Sequence, residues 1–142
     1  MSAYQDYIRD FSALCDSTVK CAETGYSLFS DTPPDFSKQA VHYYSFAYSL
    51  VSCVQTADGL MLKLSVKIQA EDMADRHEQV AALHSLFEHC AILRKNIEDF
   101  LSTTELAKKD QESFWSVLRS ETDKLMRKTL ILKGSANSID LL

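Results

Sequence analysis

Apolar residues return every three or four positions along most of this chain, the repeat of helices that bury one side. From Ala40 onward the 4-3 positions are Ala40, Tyr43, Ala47, Leu50, Val54, Ala57, Met61, Leu64 and Ile68, all apolar or aromatic. A strand would alternate with period two, and this segment does not. The pattern predicts a helix from about 33 to 70, on the order of 55 Å long at 1.5 Å per residue. Thr32, Pro33 and Asp35 supply its start: a threonine N-cap, a proline at the first helical position, and an acid three residues after the cap.

The same repeat predicts three more helices. Tyr4, Ile8, Phe11, Cys15, Thr18, Ala22 and Phe29 define the first, over about 3–29, with Gly25 in the remaining slot. Residues 69–79 lose the stripe and hold four acids. A break is expected near Glu71–Asp72, with Asp72 and Asp75 capping a new helix over about 73–101. The alternative is one uninterrupted helix of about 105 Å needing a partner along its length. Val80, Leu83, Phe87, Cys90, Ile97 and Leu101 stripe the third helix, with Leu86 and Leu93 beside them. Ser102–Glu105, reading STTE, matches a capping box and predicts a fourth helix over about 103–133. Trp115, Leu118, Thr122, Leu125 and Met126 point inward on it, and Lys133–Gly134 reads as its end.

These elements imply an all-α fold: an elongated antiparallel bundle of three to four long amphipathic helices with coiled-coil-like packing. Residues 1–134 form one domain and 135–142 a flexible tail. At 142 residues the chain is long enough for a core without staples. Three glycines and two prolines are too few for an all-β fold. They also leave no Gly-rich phosphate loop.

Charge changes the picture in one place. A quarter of the residues are charged, yet the nineteen from Gln39 to Ala57 carry none. Serines, glutamines, His42 and three tyrosines interrupt that stretch, so it is too polar for a transmembrane span. A central helix touched on more than one side accounts for it, since charge is costly to bury. Its neutral flank, Tyr44, Tyr48 and Val51, is the candidate interface with another chain. The net charge of −5 argues against nucleic acid as a partner.

Candidate chemistry adds little. His77, His84, Glu88, His89 and Cys90 form a loose cluster, but no H-E-x-x-H or Glu-x-x-His spacing occurs there. No metal, cofactor or catalytic residue is assigned. Cys15, Cys21, Cys53 and Cys90 lie in apolar helical patterns and read as free thiols in a reducing, cytoplasmic setting. The first residues lack the basic and apolar regions of a secretory signal. From Lys124 onward, Lys124, Arg127, Lys128 and Lys133 outnumber Asp140, a net +3. Lys124, Arg127 and Lys128 are therefore candidate contacts for anionic lipid or an acidic partner. Asp140, Leu141 and Leu142 resemble short trafficking and adaptor-binding peptides.

The leading expectation is a non-enzymatic scaffold or adaptor that packs helix-to-helix with itself, as a homodimer, or with a related helical subunit. A membrane-surface or trafficking module is the second reading. A bundle enzyme or metal protein is the third.

Overall fold

The computed structural model describes residues 4–30, 36–107 and 111–139. Four helices account for nearly all of them: α1 (Gln5–Ser30), α2 (Phe36–Met73), α3 (His77–Ala107) and α4 (Gln111–Asn137). They pack in a ring, α1 on α2, α2 on α3, α3 on α4 and α4 back on α1, with α1 and α3 barely meeting across the diagonal. Each neighbouring pair is antiparallel. Gly25 near the end of α1 meets Phe46 near the start of α2. Tyr43 on α2 reaches Thr104 late in α3, and His89 early in α3 reaches Ser135 late in α4. Ser12 and Asp16 on α1 bond to Asn137 and Lys133 on α4. No strand occurs among the described residues.

Each helix gives one 4-3 stripe to a shared core. On α2 the fully buried set is Tyr43, Phe46, Leu50, Cys53, Ala57, Leu60 and Leu64. Ala47, Val54, Met61 and Ile68 are only half-buried. The core line therefore runs slightly round the helix from the expected one, because α1 closes over the Phe46–Cys53–Leu60 side as α3 closes over the other. On α3 it is Leu83, Leu86, Cys90, Leu93, Ile97, Phe100 and Thr104. Its own chain thus buries the inner side of α2, which explains part of the uncharged stretch.

Four buried threonines sit in these stripes, and each satisfies its hydroxyl inside its own helix. Thr18 donates to the Leu14 carbonyl at 2.9 Å, Thr104 to Phe100 at 3.0 Å, Thr122 to Leu118 at 2.7 Å and Thr129 to Leu125 at 2.7 Å. Thr104 also corrects one boundary. The STTE segment does not start a helix at 103; α3 runs through it to Ala107, and α4 begins at Gln111. The Thr104 hydroxyl points back along α3, and the Tyr43 hydroxyl lies 3.0 Å from its oxygen.

The α2–α3 corner lies three residues later than Glu71–Asp72. The Arg76 amide donates to the Glu71 carbonyl at 3.0 Å and the Asp75 amide to Asp72 at 3.1 Å. That pair of bonds is a Schellman ending, with Asp75 in the left-handed position at φ 62° where glycine is usual. Asp72 and Asp75 therefore end α2 rather than cap α3. The first α3 bond runs from the Val80 amide to the Arg76 carbonyl.

Lys133–Gly134 is likewise not an end. The helix continues to Asn137 because Ala136 is fully buried, and one glycine costs only about 1 kcal/mol in a helix interior. Residues 135–137 thus belong to the bundle rather than to a tail, and Ile139 packs against its core. The expected cap at Thr32, Pro33 and Asp35, the side chains of Phe29, Ala40 and Trp115, and Asp140, Leu141 and Leu142 lie outside the described residues.

Candidate functional site: an exposed apolar seam on the back of α2

Opposite the core stripe, α2 carries a second apolar series. Tyr44, Tyr48, Val51, Leu62, Val66 and Met73 are 54%, 74%, 39%, 68%, 61% and 89% exposed. With exposed Gln55 and Gln69 they follow 4-3 spacing, broken only around Asp58–Gly59. At 100° per residue all eight fall within about 60° of one another, on the side directed away from the bundle axis. The arrangement has the spacing of a coiled-coil seam, and its apolar members are exposed. Tyr44, Tyr48 and Val51, expected on a flank, belong to this back face. Leu62, Val66 and Met73 extend it and escaped the sequence reading. Their signal was the same 4-3 repeat in a second phase, hidden because the stronger inner stripe occupies the same residues' neighbours.

Tyr44 is steadied from beneath by an edge contact with Tyr43, ring centres 5.4 Å apart. Tyr43 in turn packs edge-on against Phe114 at 5.4 Å, and Phe46 against Phe100 at 5.6 Å. The start of the seam therefore lies beside aromatic packing in the core. Gly59 lies at its middle, where an added Cβ would meet nothing within 4 Å. Gly59 is thus a shallow hole in the seam.

An open groove of about 810 Å³ runs alongside, between α1 and α2. Its α1 wall is made by Asp10, Ala13, Leu14, Ser17 and Cys21; its α2 wall includes Tyr48, Ser52, Thr56 and Gly59. Asp10 and Lys63 are the charges on its lining. Burial, reinforced by the adjacent Cys53 thiol, pushes the Cys21 thiol up to about 11. Burial pushes Cys15 and Cys90 up to about 12. These thiols are therefore protonated near neutrality, whereas a nucleophilic cysteine needs a thiolate.

At the far end of α2, Glu71 is buried under three partners. Lys67 lies 3.0 Å from it and Arg76 3.3 Å, and Arg76 also donates to the Tyr4 hydroxyl at 3.5 Å. Lys67 sits over the Tyr4 ring, 5.3 Å from its centre. The hydrogen bond from Lys67, then that from Tyr4, holds the Glu71 carboxyl below its ordinary range. This cluster fastens the start of α1 to the α2–α3 corner.

The other candidate residues fall elsewhere. Lys124 and Lys128 share a small cavity of about 300 Å³ with Asp99 and Glu121. Arg127 pairs with Asp123. The late basic residues are thus interleaved with acids. His89 is placed by the Ser85 carbonyl at 2.7 Å and the Ser135 hydroxyl at 2.9 Å. His77 contacts Asp75 at 2.6 Å. Among the described residues no three histidine, cysteine or acidic side chains are grouped to hold a metal ion. None of the described helices is long and apolar enough to cross a membrane. Searches against known protein families, curated proteins and solved structures find nothing that matches this chain.

Proposed function

We propose that the chain is a non-enzymatic helical scaffold or adaptor module, and that it works by packing the back of α2 against a helix of a protein partner. The observation that carries this reading is the second 4-3 seam. A bundle whose inner stripes are closed by its own four helices gains nothing in folding from six more apolar side chains in water. Contiguous apolar patches larger than a few hundred Å² on a soluble surface mark interaction sites. Tyrosine and methionine, three of the six here, are favoured at interface cores. The absence of charge from Gln39 to Ala57 fits a surface that is desolvated on assembly.

The test compares what the tagged wild-type chain and a Tyr48→Glu/Leu62→Glu variant retain from the cell that makes them. Both positions are exposed, so the variant keeps the helical content of the wild type by circular dichroism. The reading predicts at least one partner, a second copy of the chain included, that the wild type holds and the variant releases. A folded variant that retains the same partners in the same amounts contradicts it.

A further inference from the structure

We infer that the occupant of the α2 seam is a second copy of this chain, laid antiparallel across a two-fold axis between Leu60 and Met61. The inference rests on the scaffold reading and names its partner.

Size is the first argument. Scaled by the ordinary surface of each residue type, the exposures of the six seam side chains add to roughly 800 Å², the share one partner gives to a standard interface. The back of α2 therefore carries about the area that a standard interface takes from one partner.

Shape is the second. A two-fold interface must be complementary to itself. This seam holds a hole at Gly59 and an exposed knob at Leu62, less than one turn apart. An antiparallel axis between Leu60 and Met61 sets Leu62 of each copy over Gly59 of the other. The same axis brings Val66 beside Gln55, Ala70 beside Val51 and Met73 beside Tyr48. A parallel pair would instead set glycine against glycine and leave a gap at the centre.

Charge is the third. The chain carries −5, so two copies repel at long range. The seam positions themselves are neutral, with Lys63, Lys67 and Asp72 to the sides of them, so the contact opposes no like groups. Asp58, the acid nearest the middle of the seam, is turned to α3, where Arg94 Nε lies 2.6 Å from its Oδ1. The atoms are close but not aligned as a hydrogen bond, so the contact is an ion pair.

The register makes a sharp test. Tyr48 and Met73 are on the order of 37 Å apart on one helix, too far to join within a chain. In the antiparallel dimer they are neighbours. A full-length Tyr48→Cys/Met73→Cys variant, mildly oxidised, is expected to run as a covalent dimer on a non-reducing gel. The Tyr48→Cys single variant and the wild type, whose native cysteines serve as the control, are expected to stay monomeric. Dimer formed equally by Tyr48→Cys alone would mean a parallel pair and overturn the proposal. Absence of covalent dimer from the double variant, with circular dichroism showing it folded, would also overturn it. If the Tyr48→Glu/Leu62→Glu comparison still shows a lost partner of different sequence in that case, the scaffold reading stands and only self-pairing falls. If it shows none, both fall.

Discussion

Gly25 and Phe46 show what a single residue contributes to this bundle. A Cβ at Gly25 would lie 2.6 Å from the Phe46 ring, which is itself held by Phe100. Alanine would raise helix propensity by about 1 kcal/mol, but the overpacking costs about 1–3 kcal/mol. Gly25→Ala is therefore expected to lower the midpoint of urea unfolding; a rise would mean that Phe46 moves aside freely. From sequence, Gly25 looked like the weakening of a stripe. It is a place where α1 lies close against a side chain of α2, and no one-dimensional pattern tells a gap in hydrophobicity from a close approach. Tyr44, Tyr48 and Val51 were legible as candidates because charge is absent around them. Leu62, Val66 and Met73 were not, because Asp58, Lys63, Lys67 and Asp72 lie among them.

At the scale of the helix, the corner between α2 and α3 depends on Glu71. Its pKa lies below that of an unfolded glutamate, chiefly through the Lys67 hydrogen bond. Such a group adds stability at pH above its unfolded pKa, about 4.3, and that stability is lost as pH falls through the lower folded value. Between pH 7 and pH 3 the wild type should thus lose more of its urea midpoint than Glu71→Gln does. Equal losses in the two proteins would mean that the cluster contributes nothing to the corner. The helices themselves were largely legible, since a long 4-3 repeat has few other readings. Their ends were not. Ser102–Glu105 has the letters of a capping box, but a cap also needs non-helical backbone, and the buried Thr104 hydroxyl is satisfied by Phe100 and Tyr43. The α2–α3 turn carries aspartate, not glycine, in its left-handed position, so its usual marker is missing.

The molecule as a whole divides its apolar residues between two tasks. One set closes the ring of four helices. The other, six of whose ten large members among the described residues run along the back of α2, is left facing water. This division accounts for the long uncharged stretch better than burial alone, since α1 and α3 cover only the inner side of α2. The basic residues of α4 form no unbroken basic face, because Asp99, Glu121 and Asp123 lie among them. The most direct measurement is the mass of the purified chain by light scattering across a concentration series, beside that of Leu62→Glu. The account predicts about twice 16.0 kDa for the wild type at micromolar concentration, and 16.0 kDa for a variant of unchanged helicity. A wild type that stays at 16.0 kDa throughout, or a Leu62→Glu variant that dimerises equally well, would contradict it.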